Sequence, residues 1–346
     1  MKKIVAVDLF CGAGGLTRGL LDAGIQVTSG LDIEPSCKHA YEFNNGAKFY
    51  NKDVTSLSSE ELNAMYLDGD IKLLAGCAPC QPFSTYSQGR DARKDKKWPL
   101  LYAFARLISE TEPHLVTMEN VPDVTKHQVY LDFVETLKKQ GYHVWADAIY
   151  CPDYGIPQTR RRHVLLASKL GPISIIPKTH DPENYVTVRE ALSQIELTEL
   201  KAGKESKEDR LHKAAGLSKL NMRRIKASKP GGSWKDWPVK LIADCHKKPS
   251  GKTYSGVYSR MSWNAPAPTM TTQFFGFGNG RFGHPEEDRA ISLREGAIFQ
   301  TFPESYEFVE HDSPIQISIV GKMIGNAVPP KLGHIIGQSF ISHLSH

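Results

Sequence analysis

The chain has 346 residues, of which 40% are hydrophobic and 23% are charged, and its 43 Lys or Arg against 38 Asp or Glu give a net charge of +5. No apolar stretch approaches the roughly 20 residues of a membrane span, and six irregularly spaced cysteines in a chain this long argue against a secreted disulfide framework. We therefore expect a soluble cytoplasmic protein with reduced thiols and room for one large domain and a smaller one.

The first half of the chain alternates strand-like and helix-like segments. In chain order they are KKIVAVDLF, GLTRGLLDAG, IQVTSGLDI, PSCKHAYEFNN, KFYNKDV, SSEELNAMYL, IKLLAGCAP, PLLYAFARLISETEP, HLVTMEN, VYLDFVETLKKQG and YHVWADAIY. Such alternation is typical of parallel strands joined by crossover helices. It predicts an α/β fold with a doubly wound sheet, in which ligands bind at the carboxyl ends of the strands.

The alternation stops at about Lys169. Residues 169–258 are polar, basic and rich in Pro, Gly and Ser, which predicts a second, less regular domain. Within it, Lys201 to Lys229 contains ten Lys or Arg against three acidic residues, a local charge of +7 that leaves −2 for the rest of the chain. Taken alone, this run fits a solvated helix face or linker as well as a nucleic-acid contact.

The first strand leads into a glycine-rich turn, DLFCGAGGLTRGL, which opens a helix. The glycines allow a ligand to approach the backbone, and Asp32, at the end of the second strand, is suited to ribose hydroxyls. A dinucleotide-binding turn would have a third glycine where Thr17 stands. The turn therefore favours a ribose–adenine ligand over a pyrophosphate, although a tight structural turn would also explain the glycines.

The segment GCAPCQPFS contains a Cys-x-x-Cys pair, Cys77 and Cys80, with three possible interpretations. A redox pair would begin a helix, whereas this segment runs into Pro82 and a polar loop. A zinc site would need a second cysteine pair at similar spacing, and the sequence has none. We interpret Cys80 as a single nucleophile at the end of a central strand, facing the expected ligand crevice.

Four later segments complete an ordered set of motifs. They are MENV (118–121), QTRRRHVLLAS (158–168), RMSWNAPAPTMTT (260–272) and GNAVPP (325–330). Together with DLFCGAGG and GCAPCQPFS, they resemble the cytosine-5 DNA methyltransferases in order and spacing over nearly the whole chain. The resemblance implies a Rossmann-like, S-adenosylmethionine-dependent methyltransferase sheet and a smaller, irregular target-recognition domain. It divides the chain into a catalytic and cofactor-binding domain (1–185), a target-recognition domain (186–290) and a C-terminal segment that returns to the catalytic domain (291–346).

The resemblance also implies a mechanism. The Cys80 thiolate would add to C6 of cytosine, so that C5 can take the methyl group and leave S-adenosylhomocysteine as the product. Glu119 would protonate or hydrogen-bond N3 and the exocyclic amine, while Arg162, supported by Arg160, would hold the O2 edge and a nearby phosphate. A base, which could be water, would then remove the C5 proton. The target cytosine must be flipped out of the duplex for this chemistry.

The remaining site residues also follow from the resemblance. The expected cofactor contacts are Phe10, Gly12, Gly14, Gly15, Asp32, Ile33, Asp53, Val54, Pro79, Asn326 and Val328, and no metal is expected. The expected DNA contacts are Ser84, Ser87, Arg223, Arg224, Arg260 and Thr269. Asp53 could instead cap the next helix. The cluster NMRRIKASKPGGSWKDWP mixes cations, glycines and the tryptophans Trp234 and Trp237, which suits phosphate anchoring and base-edge readout.

Two positions depart from the usual family pattern. Cys77 is an additional cysteine, which we expect to be buried and inert. The loop after the nucleophile has Asp95, Lys96 and Lys97 where an Asp-x-Arg is common, and lysine lacks the bidentate fork of arginine.

We expect a monomeric prokaryotic enzyme that acts on double-stranded DNA as the modification half of a restriction–modification pair. A cognate endonuclease would be a functional partner rather than a physical one. Three alternatives stay open: a tRNA cytosine-5 methyltransferase on the same scaffold, a catalytically idle DNA-binding relative and a nicotinamide oxidoreductase. The complete set of Cys80, Glu119 and Arg162 argues against the second, and Thr17 argues against the third.

Overall fold

The computed structural model describes residues 3–66, 71–79, 98–253 and 255–345. The chain forms two compact units. The first unit comprises Met1–Tyr154, Arg161–Thr179 and Ala327–His346, and the second comprises Gly155–Arg160 and His180–Asn326. Within the described ranges, no helix is long and apolar enough to cross a membrane.

The first unit contains a seven-stranded sheet with the order β3-β2-β1-β4-β5-β7-β6. Its strands are β1 (Ile4–Leu9), β2 (Gln26–Asp32), β3 (Lys48–Asn51), β4 (Ile71–Gly76), β5 (Leu115–Asn120), β6 (His143–Tyr150) and β7 (Arg161–Ser168). The central strands β1 and β5 are buried at every position, as expected for strands that are covered on both faces. The strand order reverses between β1 and β4, and in open α/β sheets this switch point is where ligands bind.

Helices cover the sheet and form much of the second unit. Those of the first unit are α1 (Gly15–Asp22), α2 (Lys38–Asn45), α3 (Ser59–Met65), α4 (Trp98–Thr111), α5 (Gln128–Lys139) and α12 (Pro330–Leu344). Those of the second unit are α6 (Val188–Leu192), α7 (Lys219–Lys226), α8 (Asp244–Lys247), α9 (Pro249–Lys252), α10 (Leu293–Phe299) and α11 (Ile317–Asn326). The last helix, α12, packs against α1, so the end of the chain supports the helix that follows the glycine-rich turn.

The predicted parallel arrangement is confirmed for β1 to β5 but does not extend to β7. Strand β7 lies between β5 and β6 and is antiparallel to both. It follows β6 after only ten residues, Cys151–Arg160, which contain a single 3-10 turn and no crossover helix. Because a parallel connection needs about a dozen residues or more, this short link permits only the antiparallel direction.

The second unit has a small apolar core of its own around Ile225, Trp234, Trp237, Leu241 and Phe277. Trp234 and Trp237 are 5% and 4% exposed, so their rings stabilise this core. The sequence-based interpretation of these tryptophans as base-reading side chains is therefore wrong.

Candidate active site

The glycine-rich turn leaves β1 in a backbone conformation that most residues avoid. Phe10, Gly12 and Gly14 have φ values of 60°, 51° and 88°, and Gly14 is the N-cap of α1. For Phe10 this left-handed conformation costs about 1–2 kcal/mol, which the surrounding structure must offset. The Gly12 N–H donates to Asp32 Oδ2 at 2.9 Å, and open space surrounds the position where a Gly12 Cβ would lie. The turn is thus tied to the end of β2, and its backbone is exposed to an approaching ligand.

Gly15 has a different reason to lack a side chain. A Cβ on Gly15 would lie 2.2 Å from the Val328 carbonyl oxygen and 3.3 Å from Ala327 Cβ. The segment GNAVPP therefore approaches the start of α1 at Val328. This approach fixes Val328 beside the glycine-rich turn.

Asp32 and Ile33 lie at the end of β2. Together with the glycine-rich turn and with Asp53 and Val54 after β3, they form a group of residues that we call the cradle. Asp32 Oδ1 accepts the Glu34 N–H at 2.9 Å and Oδ2 accepts the Gly12 N–H, so both oxygens are oriented while each keeps a second acceptor position. Burial is the largest influence on this carboxyl and raises its pKa above the usual value. Ile33 is 68% exposed, which leaves a large apolar side chain available to a planar ligand.

Asp53 and Val54 follow β3. Asp53 Oδ1 accepts the Thr55 N–H at 2.9 Å, so the side chain caps a 3-10 turn, as the structural alternative predicted. The carboxylate is exposed and has a second oxygen, while Val54 is buried. Asp53 can therefore cap the turn and still accept a hydrogen bond from a ligand.

The antiparallel direction of β7 brings Glu119 and Arg162 together. Glu119 lies near the carboxyl end of β5, and Arg162 lies at the start of β7, which is the same edge of the sheet. Arg162 Nε is 2.8 Å from Glu119 Oε1, and both side chains are largely buried. Apart from this ion pair, Oε1 has no hydrogen-bond partner among the described residues. The Glu119 carboxylate is held by its ion pair with Arg162 and can still accept a hydrogen bond from a ligand.

Asn120 is a site residue that the sequence analysis did not select. It is buried, its Nδ2 donates to the Ala78 carbonyl at 3.2 Å, and its Oδ1 accepts the Val121 N–H at 2.9 Å. Asn120 thus connects the end of β5 to the backbone two residues before Cys80, next to Pro79. Its position beside Glu119 in MENV was the available signal, because an amide there can bridge two strand ends.

Cys77 is half-buried at the end of β4. Burial, followed by the charges of Glu119 and Asp8, raises the pKa of its thiol well above the usual value. This environment disfavours a thiolate, in agreement with the expectation that Cys77 is inert. The predicted residues Cys80, Ser84 and Ser87, together with Asp95, Lys96 and Lys97, lie outside the described residues.

Six predicted site residues belong to the second unit, and Arg160, Thr269 and Asn326 are three of them. Arg160 is buried and its Nη1 donates to the Met270 carbonyl at 3.0 Å. Thr269 Oγ1 donates to the Thr159 carbonyl at 3.0 Å, and Asn326 is exposed at the end of α11. The roles proposed for these residues stay predictions.

Arg260 does not have the geometry expected of a DNA contact. It is buried, and all five of its N–H groups have acceptors within the second unit: the carbonyls of Ile225, Ser228, His284 and Glu287 and the carboxylate of Asp288. Arg260 therefore anchors the end of α7 to the 284–288 loop and offers DNA no donor. The sequence prediction for this residue is corrected accordingly.

Arg224 is also part of the interior of the unit. Its Nε donates to the Leu241 carbonyl at 2.9 Å, and its guanidinium lies 5.5 Å and 5.2 Å from the ring centres of Trp237 and Tyr258. Hydrogen bonding and cation–π contacts account for the burial of this cation. Arg223, its neighbour on α7, is exposed. The two adjacent arginines therefore differ in exposure, although the sequence analysis assigned both to DNA binding.

Exposed positive charge continues along the chain beyond the run at Lys201–Lys229. Within that run, Lys213 pairs with Glu205 at 2.9 Å, so part of its charge is neutralised internally. Residues 219–252, which we call the basic segment, contain ten Lys or Arg against Asp236 and Asp244, a local charge of +8. Asp244 pairs with Lys247 and Asp236 Oδ2 accepts the Ser233 N–H, so both acids are already engaged. Of the ten cations, all except Arg224 are exposed.

Comparisons with known proteins agree on one family. The family model of the C-5 cytosine-specific DNA methylases matches residues 4–342. The Type II methylase M.HgiDII of Herpetosiphon aurantiacus is 51% identical over 96% of this chain and 94% of its own length. The Type II methyltransferase M.Sau96I of Staphylococcus aureus is 29% identical over 99% of this chain and 77% of its own length. The crystal structure of a protein encoded within an Escherichia coli prophage superposes with a TM-score of 0.74 at 22% identity, covering 99% of this chain and 100% of that one, which supports the fold.

Proposed function

The chain belongs to the C-5 cytosine-specific DNA methylase family and is a DNA (cytosine-5) methyltransferase, and we propose that it methylates a flipped cytosine in a specific double-stranded sequence through a covalent bond between Cys80 and C6. We propose further that it is the modification enzyme of a Type II restriction–modification system, as the names of its relatives suggest.

The observation that carries this proposal is the pair of Glu119 and Arg162 at the carboxyl edge of the sheet. Next to this pair, β4 leads through Cys77–Pro79 directly to Cys80. Asn120 holds that connection by its bond to the Ala78 carbonyl. A carboxyl group and a guanidinium thus lie at two adjacent strand ends, and we expect Cys80, a few residues beyond the end of the neighbouring strand β4, to supply the nucleophile that an addition to a cytosine ring requires.

Each residue has a separate task in the reaction. The Cys80 sulfur forms a bond to C6, and the electron pair of the C5–C6 double bond becomes available at C5. Glu119 donates a proton to N3 and accepts a hydrogen bond from the exocyclic amine, which stabilises the negative charge that develops on the ring, and it takes the proton back when the ring is restored. Arg162 holds the O2 edge, with Arg160 in a supporting position. Removal of the C5 proton by a base allows the Cys80 sulfur to leave and restores the ring.

The cradle at the ends of β1, β2 and β3 fits S-adenosylmethionine. Asp32 offers the ribose two acceptors, Ile33 and Phe10 offer the adenine apolar surface, and Asp53 and Val54 lie where its edge would be bound. The turn at Gly12 and Gly14, with Pro79 and Val328, would complete the enclosure, and Asn326 stays a proposed cofactor contact. S-adenosylmethionine, when bound, supplies an electrophilic methyl group.

The basic segment fits the DNA backbone. Exposed lysines and Arg223 surround an apolar core, and this combination suits binding to phosphates by a rigid surface. Thr269, Ser84 and Ser87 remain proposed contacts near the target base. Sequence readout by this unit would use groups other than Arg260 and the two buried tryptophans.

Bisulfite sequencing of a plasmid from cells that express the protein tests the activity and reports the target sequence together. We expect protected cytosines at one recurrent sequence, no protection with Cys80→Ser, and nearly full protection with the matched control Cys77→Ser. Equal loss with both variants would support a paired-cysteine site instead. Protection found in the cellular tRNA and absent from the plasmid would contradict a DNA substrate.

A further inference from the structure

A second carboxyl group lies beneath the glycine-rich turn and has no part in the mechanism above. Asp8, on the central strand β1, is fully buried, and its Oδ2 accepts a hydrogen bond from Thr17 Oγ1 at 2.7 Å. Thr17 Oγ1 is also 3.1 Å from Tyr41 Oη. The other carboxyl oxygen, Oδ1, is buried and has no hydrogen-bond partner among the described residues. A buried polar atom of this kind is costly unless it carries a proton or is matched by a ligand.

The surroundings of Asp8 are built around this network. A Cβ on Gly30 would lie 2.3 Å from the Tyr41 ring, so a glycine in β2 makes the space that allows the ring to reach Thr17. Thr17 occupies the position where a dinucleotide-binding turn would have glycine. Thr17 and Tyr41 are both fully buried. Thr17 on α1, Gly30 on β2 and Tyr41 on α2 therefore act together to hold the carboxyl group of Asp8 on β1.

The charges around Asp8 oppose its ionisation. Burial is the largest influence and, with a smaller contribution from Asp32 on β2, raises the pKa of Asp8 to about 7, against the lowering effect of Thr17. The other titratable groups nearby are the Tyr41 hydroxyl and two thiols. The pKa values of Cys11 and Cys77 are both raised, in part because of Asp8, and Cys37 adds to the effect on Cys11. No ion pair joins Asp8 to a cation in the part of the chain that the structure describes. The group is thus poised to lose its proton when a positive charge comes near.

We propose that Asp8 senses the charge of the bound cofactor, holding a proton in the free protein and releasing it to solvent when a sulfonium ligand occupies the cradle above it. The inference rests on the proposed cofactor. Asp8 lies two residues before Phe10 and four before Gly12, and Coulomb coupling in a buried site acts over several ångströms without direct contact. The ionised carboxylate then favours S-adenosylmethionine, which is cationic at sulfur, over the neutral thioether S-adenosylhomocysteine. The consequence is a preference for the substrate form of the cofactor that increases with pH.

Titration calorimetry in phosphate and in Tris at pH 7 counts the protons released, because the two buffers differ in ionisation enthalpy. We expect release of roughly half a proton per S-adenosylmethionine bound, and much less for S-adenosylhomocysteine. Between pH 6 and pH 8 the affinity for S-adenosylmethionine should increase roughly five- to ten-fold more than that for S-adenosylhomocysteine.

Three variants isolate Asp8. Asp8→Asn keeps an acceptor for Thr17 but cannot ionise, so it should abolish the difference in proton release between the two ligands. Thr17→Val removes the hydrogen bond that favours the ionised form, so it should move the midpoint of the pH dependence to higher pH. Asp32→Asn should weaken both ligands and, because it removes a charge that raises the pKa of Asp8, move the midpoint of the pH dependence to lower pH, while the two ligands still differ in proton release.

The results separate two kinds of failure. If wild-type protein and Asp8→Asn release the same number of protons with S-adenosylmethionine, or if both ligands release equally, the inference about Asp8 is wrong while the proposed cofactor stands. If neither ligand binds, the cofactor proposal and the inference both fail. Should Asp8→Asn not fold, an unchanged midpoint in Thr17→Val would by itself overturn the inference.

Discussion

The two units each contain a buried Glu–Arg pair, and the pairs differ in how completely they are satisfied. In the second unit, Arg289 binds Glu295 with two hydrogen bonds of 2.7 and 2.8 Å, and the Ser292 N–H donates to the same carboxylate at 2.7 Å. Burial alone would raise the pKa of Glu295, but Arg289 outweighs it and lowers that pKa to about 2. In the first unit, Glu119 Oε1 is held by one ion pair with Arg162 Nε. The described residues give this oxygen no further hydrogen-bond partner.

The difference distinguishes a pair that maintains structure from a pair prepared for a ligand. A saturated pair has no capacity left for a substrate, and breaking it leaves a buried charge without a partner. A pair with an open acceptor is less favourable for the empty protein but can be completed by a base. Asp8 forms no ion pair with the described residues, but like Glu119 it has a buried carboxyl oxygen without a hydrogen-bond partner among them. Conservative carboxyl-to-amide substitutions should therefore have different consequences in the two units.

The largest expected effect is on catalysis, from Glu119→Gln. An amide cannot supply a proton to N3, and loss of this group should lower kcat by roughly 10²- to 10⁴-fold. The melting temperature should change little, because Glu119 is not saturated by its partner. Methylation of a duplex under single-turnover conditions measures the rate, and the exposed Glu135→Gln serves as the control. A large loss of stability with a small loss of rate would show that Glu119, like Glu295, mainly maintains the structure.

The opposite outcome is expected for Glu295→Gln. This change replaces the charged partner at Glu295 with an amide and leaves Glu287 as the remaining carboxylate partner of Arg289, so it should lower the free energy of unfolding by about 1–3 kcal/mol. Urea denaturation measures it, with the exposed Glu199→Gln as the control. A change below about 1 kcal/mol would show that saturation of the pair does not matter for stability, and the comparison would lose its basis.

Asp8→Asn should change how stability depends on pH. The pKa of Asp8 rises from 3.8 to about 7 on folding, so the native state holds this proton more tightly than the unfolded state. The stabilisation from Asp8 is complete below about pH 4 and is lost as the pH rises through 7. The loss is about 1.4 kcal/mol per pH unit at most. The variant should therefore gain stability relative to wild type between pH 5 and pH 8 in urea denaturation, and parallel curves for the two proteins would contradict this.

These contrasts show which parts of the molecule could be predicted from the sequence. The strands β1 to β5 follow from the alternation of apolar and amphipathic segments, and their carboxyl ends locate Glu119 and Asp32. The insertion of β7 does not follow, because a strand that returns without a helix gives no periodic signal. The sequence pattern also does not show which groups a side chain contacts. Arg260 and Trp237 are residue types that are common on DNA-binding surfaces, yet both are buried.

The smallest expected effect separates two adjacent arginines. The sequence alone predicts two phosphate contacts from Arg223 and Arg224, whereas the structure leaves Arg223 exposed and packs Arg224 against Trp237 and Tyr258. Arg223→Ala should flatten the log–log dependence of DNA affinity on salt by about one unit. Arg224→Ala should instead lower the melting temperature.

The matched measurement is DNA binding at several salt concentrations, with calorimetry of S-adenosylmethionine alone as the control. Both variants should bind the cofactor like wild type, because the cradle lies in the first unit. Equal salt slopes for Arg223→Ala and wild type would show that Arg223 on α7 does not contact the DNA phosphates.

Covalent trapping tests the central assignment most directly. A duplex carrying 5-fluorocytosine at the target cytosine should retain the enzyme after methylation, because fluorine at C5 cannot leave as a proton does and the Cys80–C6 bond persists. On a denaturing gel we expect a shifted band that requires S-adenosylmethionine, persists with Cys77→Ser, forms slowly with Glu119→Gln and is absent with Cys80→Ser. A band that forms with Cys80→Ser, or none with wild type at a target that bisulfite sequencing has identified, would contradict the account.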